Sequence, residues 1–163
     1  MGVQCQGYHL KGQNWKAGKA TEADLGAADD KHAERAAYAS MSGLATSFLF
    51  DQNDFPCEKC VSFFLRESLG GKSFVFKCTG NAGGYAVESG FVDQTDFKRK
   101  FRKDLAGVVY FANGQIYIAG RKVTVQTVKV SGAVDKMTAK GQDDINAPAI
   151  PATFTGMPLY PNV

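Results

Sequence analysis

The sequence predicts a single α/β domain with a mixed central sheet of about five strands and helices packed on it. Segments with helical periodicity alternate with short apolar strands between residues 30 and 78, and this order favours a parallel strand pair. Farther along the chain, Asn113-Gly114 separates two apolar strands, which is the strongest short-range signal for a β-hairpin. The length of 163 residues suits one domain whose core needs no disulfide or metal to fold.

The composition, with 44% hydrophobic and 21% charged residues, is typical of a soluble globular protein. No apolar run approaches the roughly 18 residues of a membrane-spanning helix, so we expect no membrane protein. The N-terminus lacks the apolar stretch of a secretory signal, and we therefore expect no export of this chain by that route. A piece cut from a larger exported protein stays open as an alternative.

The N-terminal residues predict one short strand, VQCQGYHL, followed by a loosely held lead-in with few apolar residues. A helix is expected to run from Asp30, a favourable N-cap residue, to about Ser42 and to stop at Gly43. The apolar segment LATSFLF then predicts a buried strand, and the polar residues DQND predict the loop after it.

The segment PCEKCVSFFLRESL predicts a second helix, because proline is tolerated in a first helical turn and two glycines follow the segment. Its apolar stripe comprises Val61, Phe64, Leu65 and Leu69. The segment KSFVFKCT predicts the next strand. Helix, strand, helix and strand therefore alternate in this part of the chain.

The segment DQTDFKRKFRKDLAG predicts a third helix that begins at Asp93 or Thr95. The hairpin follows, and KVTVQTVKV predicts a strand that extends the sheet. Beyond Ser131 the composition changes to Gly, Asp and Pro, which predicts an extended tail on the surface. These boundaries divide the chain into an N-terminal strand and lead-in at 1–28, a core at 29–131 and a C-terminal tail at 132–163.

Two motifs contain residue types that bind metals: HAE holds His32 and Glu34, and PCEKC holds Cys57 and Cys60. The cysteines are three residues apart, so their sulfurs lie on one side of a first helical turn, where the positive helix end favours thiolate. On a regular helix, side chains two residues apart point about 200° apart, so His32 and Glu34 would not share a face. Both can still reach one metal ion if it lies beyond the N-terminal end of the helix. Two thiolates and one imidazole would leave the fourth position of a tetrahedral zinc open, as in catalytic sites.

The C-x-x-C pair by itself has other interpretations. It can arise by chance, serve in redox chemistry or form part of a structural zinc site. A structural site would need a fourth ligand, for which the spare candidates are His9, Cys5 and Cys78.

Together, H-x-E and P-C-x-x-C, each at a helix start, resemble the signature of the zinc-dependent cytidine deaminase superfamily. Within it, the short lead-in and the tail after the sheet look most like the nucleic-acid deaminase domains of bacterial polymorphic toxins. The resemblance implies a cytidine-deaminase-like fold with Zn²⁺ held by His32, Cys57 and Cys60. It also implies that Glu34 moves protons while cytosine is deaminated to uracil, or while the equivalent reaction occurs at adenine.

The same resemblance implies a nucleic acid substrate, with DNA or single strands favoured over free nucleosides and DNA favoured over RNA, and makes a cognate immunity protein a candidate partner. We expect a monomer that acts in a cytoplasm, either as such or after delivery as part of a larger toxin. Two alternatives stay open: a deaminase of free nucleosides, nucleotides or bases, and a binding protein that keeps the deaminase fold without catalysis. The intact Glu34 argues against the second, because a scaffold needs no residue to move protons.

Candidate substrate contacts lie in two places. The segment FKRKFRK contains Lys98, Arg99, Lys100 and Arg102, which are candidates for phosphate contacts because such contacts supply most sequence-independent affinity. A solvated helix face is the alternative interpretation of this basic run. Phe55 precedes the cysteine motif and is a candidate for stacking on a base, with Pro56 beside it.

Overall fold

The fold is that of a computed structural model that describes residues 2–12, 14–24, 28, 31–78, 108–118, 121–130 and 134–142. In chain order the elements are β1 (Val3–Lys11), β2 (Asn14–Ala23), α1 (Ala33–Ala39), β3 (Ser47–Gln52), α2 (Glu58–Ser68), β4 (Ser73–Cys78), β5 (Val108–Ala112), β6 (Gln115–Ile118), β7 (Arg121–Val130) and β8 (Val134–Gln142). The predicted α/β class is confirmed. Within the described residues the sheet has eight strands, more than the about five that were expected.

The strands form one mixed sheet in the order β2-β1-β3-β4-β5-β6-β7-β8. β3 and β4 are parallel and are connected through α2, so the parallel pair predicted from the order of elements is present. The other neighbouring pairs in this order are antiparallel. Because β1 is antiparallel to β3, the start of β1 lies beside the end of β3.

The N-terminal region is more ordered than the loose lead-in that the sequence predicted. Residues 14–23 form β2, which pairs with β1 along its length, with an irregularity between Gln6 and Tyr8. β2 is the first strand in the sheet order and therefore an edge strand, and polar side chains are common at sheet edges. The low apolar content of this segment, which suggested a loosely held lead-in, is therefore compatible with an edge strand.

α1 is shorter than predicted at both ends. Its N-cap is His32, whose backbone is extended (φ −60°, ψ 146°), and not Asp30, which lies outside the described residues. Its C-cap is Ser40, before Ser42 is reached. The chain then tightens into turns in which the amides of Met41 and Leu44 bond the carbonyls three residues earlier.

α2 confirms the second predicted helix, and three residues of its expected stripe are fully buried: Val61, Phe64 and Leu65. Leu69 is the exception, because it is the C-cap residue and is 69% exposed. The stripe faces an aromatic core on the helix side of the sheet, which we call the helix-face core; its rings include Phe48, Phe50, Phe64, Phe74, Phe76 and Phe111. Alternate residues of the same strands, such as Leu49 and Val75, are buried on the opposite face.

The Asn113-Gly114 hairpin is confirmed between β5 and β6. Both residues have positive φ angles, 53° and 72°, as a two-residue turn that matches strand twist requires. The Gly114 amide donates a hydrogen bond to Ser68 Oγ at 2.8 Å, which joins the turn to the end of α2. A side chain on Gly114 would meet Leu69, since an added Cβ would lie 2.5 Å from Leu69 Cδ2.

The remaining sequence predictions have mixed outcomes. The strand predicted at KVTVQTVKV is present as β7, and part of the predicted tail forms β8, which pairs with it. The predicted third helix and residues 143–163 lie outside the described residues. None of the helices in the described ranges has the length and apolar character needed to cross a membrane.

Candidate metal centre

The centre lies where two helices begin. His32 is the N-cap of α1 and Cys57 is the N-cap of α2, and both have extended backbones that turn into the helix at the next residue. Five residues separate the end of β3 from the start of α2, so the first turn of α2 lies at the carboxyl end of the parallel strand pair. Ligands in α/β proteins commonly bind at such strand ends. The prediction that the candidate ligands leave from helix tips is therefore confirmed.

Three side chains converge at this point. His32 Nδ1 lies 3.5 Å from Cys57 Sγ and 3.1 Å from Cys60 Sγ. The three candidate ligand atoms all lie within 4.8 Å of one another. In tetrahedral zinc sites with ordinary bond lengths, a nitrogen and a sulfur ligand are about 3.6 Å apart. The group formed by His32, Cys57 and Cys60 can therefore hold a metal ion, and its size fits zinc.

A fourth Cys or His ligand is excluded within this chain. The chain has four cysteines and two histidines, and all six lie among the described residues. The metal-binding group includes neither His9 nor Cys5 nor Cys78. Cys5 and Cys78 are instead buried in the helix-face core as thiols. A closed site of four Cys and His ligands, one of the alternatives for the C-x-x-C pair, is therefore not formed.

Glu34 lies beside the three candidate ligands. It is the second residue of α1 and is only 4% exposed, which is unusual for a carboxylate unless it is paired. Its Oε2 accepts a hydrogen bond from Gln52 Nε2 at 3.0 Å. It is also close enough to Cys60 to raise the pKa of that thiol through charge repulsion and a hydrogen bond. The four residues that the sequence singled out are thus brought together.

The two cysteines differ in acidity. The hydrogen bond with the Cys60 side chain lowers the pKa of Cys57 to about 6, although burial acts in the opposite direction. The Cys60 backbone amide and His32 make smaller contributions to the same lowering, and the charge of Glu34 opposes it. The pKa of Cys60 is raised, first because its side chain is hydrogen-bonded to Cys57 and then because it is buried. The two sulfurs therefore share a proton through their hydrogen bond, and this proton must leave when both bind a metal as thiolates.

The substrate contacts predicted from the sequence are less well defined. Phe55 is 5% exposed and belongs to the helix-face core, where it supports the loop before Cys57. Pro56 is buried next to it. Base stacking by Phe55 stays a prediction. The basic residues Lys98, Arg99, Lys100 and Arg102 lie outside the described residues.

Sequence analysis missed Gln52. The segment DQND was predicted to be a loop, but Asp51 and Gln52 are the last two residues of β3. Strand alternation places Gln52 on the same face as Phe48 and Phe50, and it is 2% exposed. A polar residue at an inward position of an apolar strand is the signal that could have found it.

Sequence analysis also missed the residues that join the two helices. The ring of Tyr38 on α1 packs edge-on against Phe63 and Phe64 of α2, with centroids 5.8 and 5.6 Å apart. Its hydroxyl donates to Glu67 Oε1 at 2.6 Å and accepts from Lys72 Nζ at 2.6 Å. We call Tyr38, Glu67 and Lys72 the helix clamp, because they connect α1, α2 and the start of β4.

Comparisons of the chain with protein-family models, with curated proteins and with solved structures found no match. The function of the centre must therefore be argued from its own residues.

Proposed function

We propose that the chain is a zinc-dependent hydrolase that deaminates cytosine to uracil in nucleic acid. The observation that carries the proposal is a three-residue metal site with a buried carboxylate beside it. His32, Cys57 and Cys60 have ligand atoms within 4.8 Å of one another, and Glu34 adjoins Cys60. A site with three protein ligands is typical of catalytic zinc, and a neighbouring glutamate that is not a ligand is typical of zinc deaminases.

The residues present fit the metal. His32 would bind through Nδ1, the nitrogen that faces both sulfurs, and the two cysteines would bind as thiolates. When bound, zinc supplies Lewis acidity, which lowers the pKa of water so that hydroxide becomes available near neutral pH.

Glu34 is the proton carrier in the proposed reaction. The water oxygen forms a bond to C4 of cytosine, the bond from C4 to the amino nitrogen breaks, and uracil and ammonia are released. Glu34 accepts one proton from water and passes it to N3 of the ring, and it then passes the remaining hydroxyl proton to the departing amino group. Its burial at 4% exposure favours this role, because a carboxylate removed from bulk water exchanges protons with the substrate rather than with solvent.

Support for a polymer substrate comes from the sequence. The segment FKRKFRK places five cations within seven residues, and such a run binds phosphates without regard to base sequence. The base to be deaminated must be unpaired or extruded from a duplex to reach a buried catalytic group. Single-stranded DNA is therefore the substrate we favour.

The decisive experiment incubates zinc-loaded protein with single-stranded DNA, duplex DNA, RNA and free nucleosides, and measures uracil and hypoxanthine. We expect uracil in single-stranded DNA. Glu34→Ala should reduce turnover by at least about 10²-fold, the contribution typical of a general acid and base, while zinc content stays at wild-type level. Hypoxanthine or a free-nucleoside product would redirect the proposal to another substrate. Undiminished turnover by Glu34→Ala would refute the mechanism.

Charge reversal tests the polymer assignment separately. Lys100→Glu with Arg102→Glu should weaken activity on DNA and make it less sensitive to salt, because phosphate contacts are lost. The matched control is Lys16→Glu with Lys19→Glu on β2, which makes the same change in charge at two exposed lysines. Equal effects of the two double variants would remove the basic segment from the binding surface.

The toxin assignment has its own test. Expression of the active chain in a bacterial host should slow growth and raise the frequency of cytosine-to-thymine mutations, because uracil pairs as thymine. Glu34→Ala should restore growth. Normal growth with an active enzyme present would favour a housekeeping deaminase over an effector.

A further inference from the structure

We propose that Gln52 is a positioning residue that orients the Glu34 carboxylate and fixes the loop leading to Cys57. This inference rests on the proposed function, in which Glu34 carries protons. The side chain of Gln52 is 2% exposed and touches both halves of the centre, the start of α1 and the approach to α2.

The amide group of Gln52 makes two hydrogen bonds through one nitrogen. Nε2 donates to Glu34 Oε2 at 3.0 Å and to the backbone carbonyl of Asp54 at 2.7 Å. Both partners are acceptors, so only the amide nitrogen, and not the amide oxygen, can occupy this position. The two hydrogens of the NH₂ group are thereby used, and the side chain has one orientation.

The residues beside Gln52 on the two neighbouring strands are uncharged. In the sheet register Gln52 lies between Cys5 of β1 and Cys78 of β4. Both thiols are 3% exposed, and burial, with the nearby charge of Glu34, raises their pKa values, so they stay neutral. Within this row of three side chains, the amide of Gln52 is the group that can donate a strong hydrogen bond to the carboxylate.

The two bonds have different consequences. With Oε2 held by the amide, the Glu34 carboxylate keeps one orientation beside the candidate ligands. The bond to Asp54 fixes the backbone three residues before Cys57, the N-cap and candidate ligand. Gln52 therefore sets the position of the proton carrier relative to the metal ligands, and small displacements of catalytic groups are known to reduce rates strongly.

The main test is Gln52→Met, which keeps the length of the side chain and removes both donors. We expect kcat to fall about 10- to 100-fold, the range that a misplaced catalytic group produces, with KM changed less than about 3-fold and zinc content unchanged. The matched control is Gln6→Met. Gln6 Nε2 likewise donates to two acceptors, the carbonyls of Gly7 at 3.0 Å and Gly18 at 2.8 Å, but neither acceptor belongs to Glu34 or to the loop before Cys57. Gln6→Met should leave kcat unchanged.

A second measurement does not depend on activity. Thermal unfolding of Gln52→Met, Glu34→Ala and the double variant forms a cycle that reports whether the two side chains interact. The loss in Tm of the double variant should be smaller than the sum of the two single losses. If Gln52→Met does not fold, Gln52→Asn replaces it; this change keeps the amide but shortens its reach, and kcat should again fall with zinc retained.

The outcomes separate this inference from the proposed function. If the wild-type chain deaminates no substrate, the proposed function fails, and the unfolding cycle still decides whether Gln52 holds Glu34. If the wild type is active and Gln52→Met keeps its kcat, the inference alone is overturned. Loss of zinc from Gln52→Met with kcat per bound zinc unchanged would also overturn it, since the residue would then hold only the loop before Cys57 and not the carboxylate. Additive losses in Tm would show that the contact with Glu34 contributes nothing.

Discussion

α1 and α2 begin alike and are held in place by different means. Each starts with a candidate metal ligand at its N-cap, His32 or Cys57, and in neither case does that side chain make a capping hydrogen bond. α2 has 11 residues and a stripe of buried apolar side chains of its own. α1 has 7 residues, and its buried positions are Ala33, Glu34, Ala37 and Tyr38.

A helix as short as α1 is not stable by itself, because the hydrogen bonds it forms do not offset the cost of its first turn. Three contacts from outside hold it: Thr21 to the Ala33 carbonyl, Gln52 to Glu34, and the helix clamp at Tyr38. Its alanines allow it to lie close to the β1–β2 hairpin, where Gly7 and Gly18 leave room for Met41. α2 is thus placed by its own apolar stripe, and α1 is placed by its neighbours.

Removal of the metal should have the largest effect on this arrangement, because a bound ion would join the two helix starts directly. Adding a chelator to zinc-loaded protein should lower the free energy of unfolding by about 4 kcal/mol if zinc is present at a thousand times its dissociation constant. Thermal unfolding with and without chelator measures the change. His32→Ala and Cys60→Ser should bind no zinc and show no response.

The control for that experiment is His9→Gln, which alters the other histidine of the chain and should keep the full response to chelator. A chelator response in Cys60→Ser equal to that of the wild type would mean that zinc binds elsewhere. It would also leave α1 and α2 joined by side-chain packing and the helix clamp, without a metal between them.

Next in size is the helix clamp. Tyr38→Phe removes the hydroxyl that donates to Glu67 and accepts from Lys72, and leaves both half-buried partners with one hydrogen bond fewer. We expect a loss of about 1–3 kcal/mol in the free energy of unfolding, measured by urea denaturation. Tyr8→Phe, on the opposite face of the sheet, is the matched control and should lose less. Equal losses would show that the clamp does not hold α1.

The contrast between the helices also explains what the sequence could predict. α2 was predicted well because its apolar stripe and its glycine stop are local signals, although Pro56 lies before the N-cap and not in the first turn. The ends of α1 were misplaced because cap preferences favour Asp30, whereas the observed start at His32 depends on contacts with β2 and β3. The three candidate ligands could be proposed from motif spacing, since metal chemistry restricts residue types, and the structure places them together.

Gln52 and the helix clamp were not predicted, for a physical reason. Their partners are distant in sequence: Gln52 and Glu34 are 18 residues apart, and Tyr38 and Lys72 are 34 apart. Hydrogen bonds of this kind depend on how strands and helices pack, and a single sequence has no periodic pattern that records them. Likewise β2 was missed because an edge strand does not need the apolar alternation by which strands are found.

A smaller effect is expected where α1 rests on β2. Thr21 Oγ1 donates to the Ala33 carbonyl at 2.6 Å. Thr21→Val keeps the shape of the side chain and removes this bond, and it should reduce the free energy of unfolding by about 1 kcal/mol. Thr46→Val, at an exposed threonine just before β3, controls for the exchange of a hydroxyl for a methyl group and should have little effect. A larger loss from Thr46→Val than from Thr21→Val would contradict the dependence of α1 on its neighbours.

The smallest effect concerns the two N-caps in metal-free protein. Ser is a favourable N-cap residue and Ala is not, so His32→Ser should be more stable than His32→Ala by about 1 kcal/mol in urea denaturation. The same pair of changes at Cys57 should give a gap of similar size, because both caps make no side-chain hydrogen bond. A gap at His32 alone would mean that the first turn of α2 is already stabilised by its own packing. If the Ser and Ala variants have equal free energies of unfolding at both positions, the candidate ligands occupy the N-caps without reducing helix stability. Zinc binding would then not compete with helix stability.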